Sequence, residues 1–217
     1  MKPWLERFAD AVFRRSADVN HDLKTPLNIA VLNLELLKMR LARMAPTAAE
    51  DEKIRAYASS VEMELRRMAK VFDAVFQHGA PPDDRRDPEP VDMIPLLAAR
   101  FPLEEAEPFR VLVHAERGAE LARLLQMGSA KIFAGVPAVT VNRSTEGHLR
   151  FRISGAPASS ALELGKLFKF YYTDESGNPE ISLATARLIA ECYGGSLDAR
   201  ETAGEIFVEL ALPAGDR

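Results

Sequence analysis

The feature that most constrains the fold is a long stretch without glycine, from Lys2 to about Met44, in which apolar residues step by three and four. This spacing predicts one long amphipathic α-helix. A second apolar seam runs beside the first, so the helix has more apolar surface than a single neighbour covers. The seams consist of Leu27, Ala30, Leu34, Leu37, Leu41 and Met44, and of Ile29, Leu32, Leu36 and Met39.

A second helix is predicted to follow at once. Residues 45–50 break the first pattern, and Thr47 with Glu50 has the spacing of a capping box. The helix should run to about Gln77 and stop at Gly79. Its apolar seam is Ile54, Val61, Leu65, Met68, Phe72 and Val75, whereas Asp51, Glu52, Glu62 and Glu64 are assigned to a solvated face. The two helices form an antiparallel hairpin, the first domain, over residues 1–79.

One hairpin cannot enclose its own core. Two hairpins form a four-helix bundle, so we expect a homodimer. The alternative is that the hairpin packs on the C-terminal part of the same chain.

The segment 80–90 contains four prolines and marks a linker, with a second domain at 91–217. There we predict a two-layer α/β sandwich with a mixed sheet. A closing hairpin and a helix that ends at Gly194 and Gly195 complete it. The predicted helices are 91–100, 119–133, 162–168 and 181–192, and the predicted strands are 109–114, 138–142, 149–153, 196–201 and 205–212.

Composition excludes several functions. With 28 basic and 32 acidic side chains, the net charge of −4 gives no field that favours nucleic acid or an anionic membrane. No stretch approaches the apolar length of a membrane span, and residues 1–7 lack a secretory apolar run, so we expect a cytoplasmic protein. The single cysteine, Cys192, excludes an internal disulfide framework. His78, His114 and His148 lack metal-ligand spacing and are assigned structural or surface positions.

The first helix carries the residues of greatest chemical interest, His21, Asp22 and Thr25. Positions i and i+4 share a helix face, so Thr25 lies beside His21. A neutral imidazole accepts a phosphoryl group, and a neighbouring carboxylate orients it or takes its proton. Pro26 deletes a helical hydrogen bond and predicts a bend here. The alternative for His21 is an ordinary solvated histidine.

The segment from His21 to Pro26 resembles the H-box of bacterial sensor histidine kinases, on the first helix of their dimerisation and histidine-phosphotransfer domain. The second domain resembles their ATP-binding domain, most clearly in residues 181–197 and 167–173. The resemblance implies that His21 is the phosphoacceptor. It also implies that Asp22 orients or deprotonates His21, and that Thr25 positions a water molecule or a phosphoryl oxygen.

The nucleotide-binding motifs of that family are absent. Gly128 stands where the family has an asparagine that holds Mg²⁺, and Ser154–Ala158 replaces the segment that binds adenine. Before the last helix, where the family has glycines, Pro179 lacks an N–H donor and Glu180 brings negative charge toward the place of the phosphates. We therefore expect no bound cofactor.

These observations favour a dimeric histidine phosphotransferase of a two-component phosphorelay with a degenerate kinase-like domain. His21 would pass phosphoryl groups between receiver aspartates of response regulators, with Mg²⁺ supplied at the receiver. Two alternatives stay open. One is an ATP-dependent kinase core with divergent nucleotide binding, and the other is a non-catalytic pseudokinase scaffold that binds a response regulator.

Overall fold

The computed structural model describes residues 3–41, 43, 48–103, 106–144, 147–160, 162–170 and 180–215, and all their side chains except those of 15–22 and 48–50. The first two elements are long helices, α1 (Pro3–Leu41) and α2 (Ala48–His78). The helices that follow are α3 (Met93–Ala98), α4 (Ala115–Ile132) and α5 (Ser182–Cys192). The strands are β1 (Glu89–Asp92), β2 (Arg110–Val113), β3 (Ala138–Arg143), β4 (His148–Gly155), β5 (Ser196–Thr202) and β6 (Glu205–Pro213).

The predicted hairpin is confirmed. The two helices pack along their length, and Asn33 Nδ2 on α1 donates to Ser60 Oγ on α2 at 3.2 Å, which fixes their register. The helix α2 ends at His78, and Gly79 fits there because a side chain would meet Val12 of α1 at 2.7 Å. Thr47, the predicted cap, lies outside the described residues.

The assignment of Glu64 to a solvated face is wrong. The side of α2 that packs against α1 carries Glu64, Arg67, Val71 and Ala74, all of which are buried. By contrast, Leu65 and Phe72 of the predicted seam are exposed. The helix is therefore rotated so that Leu65 and Phe72 face away from α1, whereas the other four residues of the predicted seam, Ile54, Val61, Met68 and Val75, are half-buried. Periodicity alone does not say which of two neighbouring surfaces of α2 is covered by α1.

The second domain is a four-stranded sheet in the order β3-β4-β6-β5, with α4 and α5 against it. Alternate residues of β4 and β6 point into the core, including Phe151, Ile153, Val208 and Leu210. The prediction of a mixed sheet is wrong, since every strand pair in the described part of the chain is antiparallel. The sandwich of helices on a sheet is confirmed.

Several element boundaries differ from prediction. Instead of a helix over 162–168 there is one 3₁₀ turn, Leu164–Lys166, because Leu167, Phe168 and Phe170 all insert into the core and one helix face cannot present them together. The short strand β1 includes Glu89 and Pro90 from the predicted linker and pairs with β2. Gly194, with φ of 79°, ends α5 in the left-handed conformation as predicted.

The base of the hairpin shares one core with the α/β domain. Phe8 packs edge-on against Tyr193, which follows α5, and the indole of Trp4 donates to Asp87 at 2.9 Å. The alternative of packing on the C-terminal domain is thus realised at the base of the hairpin, while its upper part presents apolar side chains to solvent. Of the helices described, none has the length and apolar character to cross a membrane.

Candidate functional site

The H-box lies in the lower half of α1. His21 and Asp22 belong to this helix, but their side chains are outside the description. Thr25 is half-buried, Pro26 is buried inside the hairpin, and Leu27 is exposed. The helix continues through Pro26 to Leu41, so position 25 follows position 21 on one face by a single turn. The three predicted site residues are therefore confined to two turns of one helix.

Across the hairpin lies a buried ion pair that the sequence reasoning missed. Arg67 Nη1 and Glu64 Oε2 are 3.2 Å apart, with side chains 4% and 5% exposed. Burial raises the pKa of the Glu64 carboxyl, and the charge of Arg67 offsets part of that rise. The available signal was the opposite charges three residues apart, one of the spacings at which helix side chains meet.

Gly128, in the position of the metal-binding asparagine of the resembled family, faces α5 at close range. A Cβ atom there would lie 2.5 Å from Cγ and 2.7 Å from Cδ2 of Leu183, and Leu183 is itself buried. The space that a side chain at position 128 needs is occupied by Leu183. Beside it, the buried hydroxyl of Ser129 has no hydrogen-bond partner among the described residues.

The N-terminus of α5 is occupied by a carboxylate of the same chain. Glu180 Oε1 accepts a hydrogen bond from the backbone N–H of Ser182 at 2.8 Å, and the hydroxyl of Thr185 donates to the Ile181 carbonyl at 2.9 Å. A helix N-terminus attracts anions through its free N–H groups and its dipole. Here the anion is Glu180. The predicted loop residues 173–179, including Asn178 and Pro179, lie outside the described residues.

The segment at the end of β4 is joined to the end of α4. The N–H of Ala134 donates to the Ala156 carbonyl at 2.9 Å, and the N–H of Ala158 donates to the Ile132 carbonyl at 2.9 Å. Phe133 packs behind Gly155, 3.2 Å from where a side chain there would begin. These backbone groups are therefore satisfied within the chain.

A cleft of about 280 Å³ lies between the hairpin and the α/β domain, lined by α2, α4 and the start of α5. His78 lines this cleft. Arg117 donates to His78 Nδ1 at 2.9 Å and to the carbonyl of Ala80 at 3.3 Å, and it also donates to the carbonyl of Gln77. Burial, and then the charge of Arg117, lowers the pKa of His78. Arg117 thus ties the C-terminal end of α2 to α4.

His114 was predicted to have either a structural or a surface position, and its position is structural. It is buried at the start of α4, with Nδ1 2.7 Å from the Tyr193 hydroxyl and Nε2 3.0 Å from the Arg86 carbonyl. Since a carbonyl only accepts, Nε2 carries the proton and Nδ1 accepts from Tyr193. Burial raises the pKa of the Tyr193 phenol well above its usual range. Over the described part of the chain, no group of three or more His, Cys, Asp and Glu side chains is arranged to hold a metal ion.

Comparison with known families identifies the hairpin. Residues 14–77 match the His Kinase A (phospho-acceptor) domain, a match that spans His21, Asp22 and Thr25. The predicted resemblance to the core of bacterial sensor histidine kinases is thereby confirmed, with the match confined to the hairpin. Among curated proteins, none matches the chain.

Solved structures similar to the chain include two kinases and one phosphotransferase. A mycobacterial sensor histidine kinase, MprB, has 17% identity and a TM-score of 0.48, covering 58% of this chain and 97% of its own. The Acinetobacter baumannii histidine kinase AdeS has 13% identity and a TM-score of 0.48, covering 90% and 98%. A bacterial phosphotransferase has 18% identity and a TM-score of 0.36, covering 93% and 96%.

Proposed function

We propose that this protein is a dimeric histidine phosphotransferase of a two-component phosphorelay, and that it works without ATP. The observation that carries the proposal is the close approach of Leu183 to Gly128, which fills the space a metal-binding side chain would need. The Glu180 carboxylate at the start of α5 supports it further, because a triphosphate placed there would meet like charge and find the Ser182 N–H already bonded.

The chemistry needs only the H-box on this chain. The neutral ring nitrogen of His21 attacks the phosphorus of a receiver aspartyl phosphate, so an N–P bond forms while the P–O bond to the aspartate breaks and leaves a carboxylate. Asp22 accepts the proton of the other ring nitrogen, and Thr25 orients a phosphoryl oxygen. Transfer to a second receiver reverses these steps. For such a loose transfer, position and charge matter most, and the receiver's own acidic residues hold the Mg²⁺.

The direct test is phosphoryl transfer from a labelled, phosphorylated receiver. We expect acid-labile label on the wild-type protein and none on His21→Ala. The matched control is His148→Ala, which removes a half-exposed histidine far along the chain and should accept label normally. If no receiver transfers label to the wild type, the relay proposal is wrong.

The second candidate is an ATP-dependent kinase core, which the match of residues 14–77 to a phospho-acceptor domain also favours. A calorimetric titration with Mg-ATP separates the two. We expect no heat of binding at physiological concentrations and no autophosphorylation. Binding together with label from ATP on His21 would establish the kinase. Partner binding and cellular function that survive His21→Ala would instead indicate a scaffold.

Dimerisation is supported by the outward apolar face of the hairpin. On α2, Leu65 is 53% and Phe76 is 69% exposed, and Phe72 stacks on Phe76 with ring centroids 5.8 Å apart. On α1, Leu27, Val31, Leu34 and Leu41 are also exposed. A second hairpin buries both sets by completing a four-helix bundle. Leu65→Glu should convert a dimer to a monomer in light scattering, whereas Lys53→Glu, at an exposed polar position of the same helix, should not.

A further inference from the structure

The buried pair of Glu64 and Arg67 has no part in the transfer chemistry above. Both side chains lie almost fully inside the hairpin, 3.2 Å apart, on a face of α2 that otherwise buries Val71 and Ala74. Two charges taken out of water are rarely more stabilising than two well-packed apolar side chains of similar volume. Packing alone therefore favours leucine and methionine at these positions, and the pair calls for another role.

The register of the hairpin shows what the pair faces. Asn33 bonds to Ser60, and the helices are antiparallel, so a step forward on α2 is level with a step back on α1. Arg67 lies two helical turns, or seven residues, after Ser60. It is thus level with Pro26, which lies seven residues before Asn33. Pro26 is buried on the same inner side of α1. By this register, Arg67 and Pro26 belong to the same layer of the hairpin.

Pro26 leaves a gap in the hydrogen bonding of α1. Proline has no N–H, so the carbonyl four residues earlier, that of position 22, loses its helical donor. A buried carbonyl without a donor is unfavourable. Position 22 directly follows His21, so whatever satisfies this carbonyl also fixes the backbone that carries the phosphoacceptor. Arginine offers five N–H donors on a long, planar group.

We infer that Arg67 is a positioning residue of the phosphoacceptor: its guanidinium donates to the carbonyl that Pro26 leaves open, and Glu64 neutralises and orients it. This inference rests on the proposed function, because it assigns Arg67 a role at the same site. In this role Arg67 acts through the backbone of α1. It holds the turn of α1 that aims the imidazole, where a small misplacement slows transfer strongly.

The test is a comparison of two backgrounds. The pair is replaced together, as Glu64→Leu with Arg67→Met, so that no charge is left buried alone, in the wild type and in Pro26→Ala. Two rates are measured: transfer from a phosphorylated receiver, and phosphorylation of His21 by phosphoramidate, which needs no receiver. In the wild-type background both rates should fall about 10- to 100-fold. In Pro26→Ala the new N–H serves the carbonyl, so the paired replacement should change both rates by less than about threefold.

The outcomes are distinct. Equal losses in both backgrounds, or none in either, would overturn the positioning role, with circular dichroism and melting temperature checking that all variants fold. Arg67→Lys keeps the charge but not the fork of donors, so with the wild-type Glu64 it should give an intermediate rate. If no receiver transfers label to the wild type, the relay proposal fails, and the phosphoramidate rates still decide the role of Arg67.

Discussion

Gly128→Ala offers the sharpest test of how α4 and α5 pack. In an exposed helix interior, this change stabilises a protein by about 0.5–1 kcal/mol because alanine loses less backbone entropy on folding. At position 128 the new Cβ would lie 2.5 Å from Leu183 Cγ and 3.4 Å from the Leu183 backbone nitrogen. The nearest atom is in the middle of a buried side chain, so α4 and α5 must separate.

The cost of overpacking should exceed the entropic gain from replacing glycine. Inserting a methyl group into a packed core costs about 1–3 kcal/mol, so a net loss of about 1–2 kcal/mol is expected. For a chain of this size that lowers the melting temperature by about 2–8 °C. Urea unfolding followed by circular dichroism measures it. Gly118→Ala in the same helix is the matched control, because the nearest atoms to its new Cβ, Leu96 Cδ1 at 3.2 Å and Met93 Sδ at 3.3 Å, lie farther away and near the ends of their side chains.

A double variant shows whether Leu183 is the cause. Leu183→Ala alone should cost about 2–5 kcal/mol through the cavity that it leaves. Combined with Gly128→Ala, which fills part of that cavity, the total should be smaller than the sum by about 1 kcal/mol or more. A Gly128→Ala protein more stable than the wild type, or strictly additive losses, would refute this account of the contact.

Three further predictions concern the junction of hairpin and α/β domain. The pKa of His78 is lowered from 6.5 in the folded state, so the unfolded chain binds the proton first as the pH falls. The free energy of unfolding should therefore decrease as the pH drops below about 6.5. In a His78→Gln variant this part of the stability–pH curve should be flatter. Tyr193→Phe leaves the buried Nδ1 of His114 without its donor, and the free energy of unfolding should fall by about 1–3 kcal/mol in a urea titration. Trp4 is the only tryptophan, so its emission should report release of the hairpin base, with Asp87→Ala lowering the denaturant midpoint of that signal and Asp84→Ala leaving it unchanged.

Local sequence patterns were sufficient to predict the hairpin, the closing strands and the helix ends at Gly79 and Gly194, because these depend on residues close together in sequence. Periodicity could not predict which face of α2 packs against α1. Leu65 and Phe72 continue the apolar seam, yet Glu64 and Arg67 lie on the face toward α1. A helix with two apolar neighbours satisfies the same pattern at more than one rotation, and a charged residue at the inner face is invisible to a rule that counts apolar positions.

Parts of the candidate site could likewise be predicted from the sequence, and other parts could not. The H-box could be found from the sequence because its residues lie within two turns of one helix, and the loss of the nucleotide motifs could be read as missing residue types. What replaces those motifs depends on residues distant in sequence: Leu183 reaches Gly128 only because α5 packs across α4. Likewise, Glu180 could be predicted to repel phosphate, but its bond to the Ser182 N–H is a matter of three-dimensional geometry.

The proposed loss of nucleotide binding would be connected to the stability of the fold. A domain that binds a ligand gains stability from it, and when binding is lost the open helix end and the space around it must be filled by the chain itself. Here Glu180 satisfies the start of α5, Leu183 fills the space beside Gly128, and the turn after β4 bonds to the end of α4. Under the proposed function, the α/β domain therefore completes its core with its own residues. It can serve as a fixed support for the base of the hairpin, so that the chemistry proposed for His21 depends on the hairpin alone.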